Sequence, residues 1–102
     1  MPRRGDIAIA KSRPALVIQG DVFDETARVT MLPLTTQLRD AAIYRIDVAP
    51  DEMNGLKAPS QIAIDHIFDW PRDEVTTLVG RLDATTLRQV DQTLATFLGF
   101  AA

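Results

Sequence analysis

The sequence predicts a mostly β fold, in which a small and strongly bent β-sheet or barrel is followed by one C-terminal helix. Short apolar runs recur between residues 6 and 82, and several of them alternate with polar residues as strands do. Turn-forming residues, among them the dipeptide Asn54-Gly55, separate these runs. From Leu87 onward the apolar residues are instead spaced as on one face of a helix.

Size and composition set the broad class of the protein. At 102 residues we expect one domain spanning residues 1–102, which buries about 60–65% of its unfolded surface. The 46% hydrophobic and 25% charged residues are ordinary for a soluble globular protein. The absence of cysteine excludes disulfides and thiolate chemistry. Because no stretch is apolar enough for a signal peptide or a membrane span, we expect a cytoplasmic protein.

Two strands joined by a tight turn are predicted to open the sheet. Residues 6–10 form the first strand, and only Lys11 and Ser12 separate it from the second, so the two should form a hairpin. Residues 15–18 are apolar at every position, which predicts a central strand covered on both faces. Because the proline after Arg13 cannot donate a ladder hydrogen bond, Arg13 is expected at the entrance of that strand, near the surface.

The remaining elements follow from alternation, turns and helical periodicity. Strands are predicted at residues 27–34, 43–48 and 60–64, then an extended path over 66–71 and a short strand within 75–82. The segment between the second and third of these runs, residues 49–59, is rich in turn formers and predicts a loop. Asp83 is a good helix N-cap and Gly99 a stop signal. The face packed on the sheet should consist of Leu87, Val90, Leu94, Phe97 and Leu98.

The charge balance limits the ways in which this protein can bind nucleic acid. The formal net charge of −3 is the opposite of the basic surplus that general nucleic-acid binders carry. Any RNA binding must therefore depend on a local basic cluster. The candidates are Arg3, Arg4, Lys11, Arg13 and Arg39.

The sequence carries no recognisable cofactor motif. One histidine, no cysteine and scattered carboxylates provide no metal-ligand spacing, so no metal site is expected. Neither a glycine-rich phosphate loop nor a G-x-S-x-G nucleophile motif is present. We therefore expect no cofactor.

Polar residues at two strand ends are candidates for chemistry on phosphate. The guanidinium of Arg13 is permanently charged and can donate bidentately to a phosphate group. Thr35, Thr36 and Gln37 end the third strand with two hydroxyls and an amide. On residue types alone, a solvated strand edge and a turn are the more common uses of these patterns.

In order along the chain, several stretches resemble the MazF/PemK family of toxin–antitoxin ribonucleases. They are Arg3-Arg4-Gly5-Asp6-Ile7, residues 13–19, residues 33–36, Asn54-Gly55-Leu56, residues 60–65, Gly80-Arg81-Leu82-Asp83 and Phe97-Leu98-Gly99. The resemblance implies the SH3-like barrel shared by MazF and CcdB toxins. It also implies a metal-independent endoribonuclease that cuts single-stranded RNA, such as mRNA, into 2′,3′-cyclic phosphate and 5′-hydroxyl ends. The implied partners are a second copy, in a homodimer whose RNA groove spans both subunits, and an antitoxin whose acidic segment occupies that groove.

The resemblance assigns the catalytic pair to Arg13 and Thr35. Asp65 then either accepts from a base edge or a 2′-hydroxyl, or satisfies backbone donors at the end of its strand. His66 is either a helper in acid–base chemistry or a structural histidine. The residues expected to contact RNA are Lys11, Ser12, Thr36, Gln37, Asp65 and His66.

Two departures from the family pattern leave other functions open. The loop after the first strand, longer in many members, is reduced here to Lys11-Ser12, and Ala63 stands where some relatives carry arginine. The alternative is a non-catalytic member of the same fold, either a CcdB-like topoisomerase binder or a degenerate toxin relative. The C-terminal residues lack the Trp-Gly-Ile-like contact that the CcdB-type interpretation requires. A third interpretation is a small barrel that binds RNA without cutting it.

Overall fold

The computed structural model describes residues 2–101, in which seven strands form one sheet and a single α-helix follows them. The elements are β1 (Asp6–Ala10), β2 (Arg13–Val17), β3 (Arg28–Thr35), β4 (Arg45–Val48), β5 (Ser60–Ala63), β6 (Phe68–Pro71), β7 (Thr77–Arg81) and α1 (Ala84–Phe97). Short 3₁₀ turns occupy Asp21–Phe23, Ile64–His66 and Arg72–Glu74. The predicted mostly β fold with a C-terminal helix is confirmed. No helix in residues 2–101 has both the length and the apolar character needed to cross a bilayer.

Every strand pair is antiparallel, and β3 organises the sheet. The order is β4-β5-β3-β2-β1-β7, with β6 also paired to β3. Residues 28–31 of β3 pair with β6, whereas Leu34 and Thr35 pair with β5. Because β3 changes its partner along its length, the sheet divides there into two wings. The end of β3 is therefore where the wings meet.

The central position predicted for the second strand is confirmed. β2 lies between β1 and β3, and its apolar residues point to both sides. Leu16 belongs to the core beneath the helix, together with residues of β3, β4 and β5. Ala15 and Val17 belong to a second, smaller core on the opposite face, against which Phe68 and Trp70 pack. Both faces of β2 are thus buried, as its unbroken apolar run predicts.

The helix begins where the sequence predicts, but its apolar face is only partly covered. The carboxylate of Asp83 accepts a hydrogen bond from the Thr86 backbone N–H at 3.0 Å. Val90 and Leu94 are buried, whereas Phe97 and Leu98 are 48% and 49% exposed. Their predicted place in the core is wrong, because α1 packs mainly on β4 and the 64–66 turn, and about half of each of these two side chains stays exposed at the end of the helix.

The fourth and fifth strands are shorter than predicted. Residues 43 and 44 lie in a turn that is closed by hydrogen bonds from the Tyr44 and Arg45 N–H groups to the Ala41 carbonyl, at 3.1 and 2.9 Å. The Tyr44 carbonyl still accepts a hydrogen bond from the Ile64 N–H at 3.0 Å, next to the last β4–β5 pair, whereas Ile43 is 79% exposed. Ile64, predicted as the end of a strand, begins the 3₁₀ turn instead. That turn carries Asp65 and His66.

Candidate active site

The two predicted catalytic residues lie on one face of the sheet. The β2–β3 ladder pairs Ala15 with Pro33. Arg13 and Thr35 lie two residues beyond this pair, on β2 and β3 respectively, so both project to the same side as Ala15 and Pro33. β3 in turn pairs Thr35 with Gln61 of β5. Since directly opposite residues in a ladder project to the same side, all three side chains share this face.

A pocket of about 200 Å³ opens on this face at the end of β3. Its lining comes from β2, β3, β4, β5 and the segments that follow β3 and β5. The lining residues are Arg13, Pro33, Leu34, Thr35, Gln37, Arg39, Arg45, Ala63 and His66. Arg13 and Thr35 therefore border the same cavity, although 22 residues separate them in the chain.

Arg13 presents its charge to solvent at the mouth of the pocket. It is the first residue of β2 and is exposed, as the following proline predicts. It forms no ion pair with any carboxylate in residues 2–101. An unpaired, permanently charged guanidinium is therefore available to an anion that enters the pocket.

The hydroxyl of Thr35 is held in place by a backbone turn. Its Oγ1 accepts a hydrogen bond from the Gln37 N–H at 3.0 Å. This contact uses a lone pair of the oxygen and leaves the hydroxyl hydrogen to donate. The turn residue Thr36 is exposed and lies outside the pocket lining.

The segment after β3 is fixed by a buried amide that the sequence analysis missed. Gln61 is 6% exposed, and its Nε2 donates to the Arg39 carbonyl at 2.9 Å and to Asp47 Oδ1 at 2.8 Å. Its Oε1 accepts from the Arg39 N–H at 3.0 Å. Both backbone groups of Arg39 are thus held, which positions this residue in the pocket wall. Only the strand register reveals that Gln61 points inward.

Positive charge is concentrated in the pocket. Three guanidinium groups, from Arg13, Arg39 and Arg45, border it together with His66, and no carboxylate is among the lining residues. A chain of net charge −3 thus carries a local basic cluster, as RNA binding would require.

The members of that cluster differ from those expected. Arg3 pairs with Asp21 at 3.5 Å, and Arg4 pairs with Asp91. The Arg4 backbone N–H also donates to Asp21, and this bond and the nearby Arg3 lower the pKa of the Asp21 carboxyl. Arg3 and Arg4, two of the candidates for that cluster, thus lie outside the pocket lining and face acidic partners that are distant in sequence.

The hairpin turn between β1 and β2 also lies outside the pocket lining. Lys11 and Ser12 have φ values of 56° and 65°, the left-handed conformation of a two-residue type I′ turn. The Lys11 ammonium lies 5.6 Å from the centre of the Trp70 ring, over its face. The predicted tight hairpin is therefore confirmed, and the Lys11 side chain stacks on β6.

Asp65 and His66 form a polar pair at one side of the pocket. His66 Nε2 lies 3.4 Å from Asp65 Oδ2, and His66 lines the pocket while Asp65 does not. The other carboxylate oxygen of Asp65 is buried without a hydrogen-bond partner in residues 2–101. Of the residues predicted to contact RNA, Gln37 and His66 are thus brought to Arg13 and Thr35. Within residues 2–101, no group of three or more histidine, aspartate or glutamate side chains is placed to hold a metal ion.

Comparison with known proteins identifies the family. The family model described as PemK-like, MazF-like toxin of type II toxin–antitoxin system matches residues 2–98. A probable endoribonuclease MazF from Mycolicibacterium smegmatis is 43% identical over 107 residues, covering 97% of this chain and 98% of that protein. The solved structure of an endoribonuclease from a mycobacterial species is 26% identical, with a TM-score of 0.78 and coverage of 96% and 91% of the two chains.

A structure of MazE–MazF from Deinococcus radiodurans is 20% identical, with a TM-score of 0.82, and covers 98% of both chains. At that identity the likeness concerns the fold, and it agrees with the predicted fold class. The family match and the 43% identical relative extend over nearly the whole sequence. The chain therefore belongs to the family of PemK-like, MazF-like toxins of type II toxin–antitoxin systems.

Proposed function

We propose that this protein is an endoribonuclease toxin that cuts single-stranded RNA without a metal ion, leaving 2′,3′-cyclic phosphate and 5′-hydroxyl ends. The observation that supports this most directly is the placement of the Arg13 guanidinium and the Thr35 hydroxyl at one basic pocket. Membership of a toxin family and a 43% identical probable endoribonuclease support the same activity.

The proposed reaction is an internal transesterification. The 2′-hydroxyl oxygen attacks the adjacent phosphorus and forms a new P–O bond, while the bond to the 5′-oxygen of the next nucleotide breaks. The transition state gathers negative charge on the non-bridging oxygens. Arg13 donates two charge-assisted hydrogen bonds to these oxygens, and Thr35 donates one from its oriented hydroxyl. Two donors that border one pocket also help to align the attacking and leaving oxygens.

The pocket contains one group suited to proton transfer. One proton must leave the 2′-hydroxyl and one must reach the departing 5′-oxygen. A guanidinium is a poor general base, so Arg13 is not assigned this role. His66 borders the pocket, and its Nε2 lies 3.4 Å from Asp65 Oδ2. We assign proton transfer to His66, because it is the imidazole among the residues that line the pocket.

The partners proposed for this chain follow from its family and from its charge. A toxin of a type II system has a cognate antitoxin, and a flexible acidic segment suits a pocket bordered by Arg13, Arg39 and Arg45. We further propose that two copies form a homodimer that shares the RNA groove, and that the protein acts in the cytoplasm, where mRNA is its substrate.

Digestion of RNA by the purified protein in EDTA tests this proposal. The expected products carry 2′,3′-cyclic phosphate and 5′-hydroxyl ends. An oligonucleotide with a single 2′-deoxy nucleotide at the mapped cut site should stay intact, because it lacks the nucleophile. Cutting of the deoxy substrate, or loss of activity in EDTA that Mg²⁺ restores, would rule out the proposed chemistry. RNA that stays intact while the protein still binds it would favour the non-catalytic alternative.

A further inference from the structure

Arg45 is a buried cation without an acidic partner. It is the first residue of β4 and only 6% exposed. No carboxylate in residues 2–101 forms an ion pair with it. A guanidinium withdrawn from water loses much of its hydration, and proteins usually compensate by pairing it with an anion. The structure holds this charge in place without such a compensation.

The hydrogen bonds of Arg45 are also incomplete. Its Nη1 donates to the Gln37 carbonyl at 3.5 Å, which is long for an N–H···O bond. Its Nε is buried and has no hydrogen-bond partner in residues 2–101. A guanidinium has five N–H donors, so most of its capacity remains for another acceptor. The missing partner should therefore be an anion with several acceptor oxygens.

The location of Arg45 indicates where that anion comes from. In the β4–β5 ladder Arg45 is opposite Ala63, whose side chain is a single methyl group. Both residues border the pocket that contains Arg13 and Thr35. Arg45 also borders a second, larger pocket of about 430 Å³, between β4 and α1, where Gln89 is among the lining residues. Asp47 also lines this second pocket, so Arg45 is the positive group at the border between the two pockets.

We propose that Arg45 is a second phosphate-binding residue, which holds an RNA phosphate next to the one that is cut. This inference rests on the proposed function, because it assigns the anion to the RNA substrate. RNA supplies one phosphate per nucleotide, and a phosphate group offers the acceptor oxygens that a guanidinium fork requires. A bound phosphate would give the Arg45 guanidinium the anionic partner that no carboxylate in residues 2–101 provides.

The substitution Arg45→Met separates this role from a structural one. Methionine replaces the unpaired charge with an apolar chain of similar length. Removing a charge that lacks a partner leaves no orphaned carboxylate behind, so the melting temperature should stay equal or rise. A residue that serves the fold would give the opposite result, a lower melting temperature with unchanged RNA binding.

Binding is measured by fluorescence anisotropy with the 2′-deoxy oligonucleotide, at several salt concentrations. Arg45→Met should weaken binding at least tenfold and reduce the slope of log Kd against log salt by about 0.7, the value for one phosphate contact on a single strand. The control is Arg28→Met, which removes the same charge from an exposed ion pair with Asp69. Arg28 lies at the opposite end of β3 from Thr35, about 23 Å away by strand rise. The slope of log Kd against log salt for Arg28→Met should therefore equal that of the wild type.

Each outcome separates the two proposals. An unchanged slope for Arg45→Met, in a preparation whose wild type cuts RNA, overturns the role of Arg45 alone. If Arg45→Met reduces the slope but the wild-type protein does not cut RNA, the nuclease proposal is overturned and Arg45 remains a phosphate contact. Wild-type protein that fails to bind the oligonucleotide overturns both. Should Arg45→Met fail to fold, Arg45→Lys retains the charge without the fork, and it should keep the slope but lose affinity.

Discussion

Replacement of Arg13 by alanine should abolish most of the activity and leave the fold unchanged. In the proposed transition state this guanidinium donates two charge-assisted hydrogen bonds, each contributing about 2 kcal/mol. Their loss raises the barrier by about 4 kcal/mol, which corresponds to a decrease of about 10³-fold in kcat/KM. Since the bonds are strongest when charge has developed, the decrease should appear mainly in kcat.

The stability of this variant follows from the surroundings of Arg13. The side chain is exposed and has no carboxylate partner in residues 2–101, so its removal orphans no buried group. A substitution at such a position changes the free energy of unfolding by less than about 0.5 kcal/mol. For a chain of this size, the melting temperature should therefore shift by less than about 3 °C.

Single-turnover cleavage of a fluorescent RNA, together with thermal denaturation, checks both expectations. Arg13→Lys should recover only part of the activity, because an ammonium group lacks the planar fork. Arg28→Ala, distant from the pocket, should cut RNA at the wild-type rate. Cleavage by Arg13→Ala within threefold of the wild-type rate would remove Arg13 from the mechanism. A collapse in stability would instead assign it to the fold.

Two further variants test the oriented hydroxyl and the helix cap. Thr35→Val keeps the shape of the side chain but not its donor, so it should lower kcat about 10²-fold. Thr35→Ser keeps the hydroxyl, so its kcat should stay within a few fold of wild type. Equal cleavage rates for the two variants would exclude the Thr35 hydroxyl from the mechanism. Asp83→Ala should lower the free energy of unfolding in urea by about 1 kcal/mol at pH 7, since the Thr86 N–H loses its acceptor. That hydrogen bond lowers the pKa of Asp83 in the folded protein. The difference in free energy of unfolding between wild type and Asp83→Ala should therefore be complete above the unfolded pKa of about 3.9 and disappear as pH falls through the lower folded pKa. A difference that persists in strong acid would contradict the role of the Asp83 carboxylate as the helix cap.

Local patterns in the sequence were sufficient for most of the fold. The two-residue turn at Lys11-Ser12 and the N-cap at Asp83 depend on neighbouring residues only, and both are where the sequence places them. The unbroken apolar run of β2 reports burial on two faces, and the structure has a core on each side. Periodicity could not show where the sheet beneath the helix ends, so Phe97 was placed in the core although it is half exposed.

The site was less predictable, because its composition depends on strand register. The family resemblance predicts Arg13 and Thr35 as the catalytic pair, and the β2–β3 pairing explains why both border one pocket. Alternation along β4 places Arg45 and Asp47 on the face away from the main core and so indicates a solvent-exposed Arg45. In the folded protein Arg45 is buried, because the second face of β4 forms the wall of a pocket. No pattern within one strand reports which strands and loops cover it.

The ion-pair partners of charged residues, like the strand register, could not be predicted from the sequence. Arg3 and Arg4 are adjacent to each other and close to the first strand, which suggested a basic surface. Their partners, Asp21 and Asp91, come from a 3₁₀ turn and from the helix, far along the chain. Only the tertiary structure distinguishes these arginines, which face acidic partners, from those that border the pocket.

A crystal structure with the 2′-deoxy oligonucleotide bound tests the central claim most directly. We predict that the phosphate at the cut site lies between Arg13 and Thr35, with its non-bridging oxygens within about 3 Å of the guanidinium nitrogens and of Oγ1. A phosphate at the cut site that contacts neither side chain, with RNA bound on another face of the protein, would contradict the account.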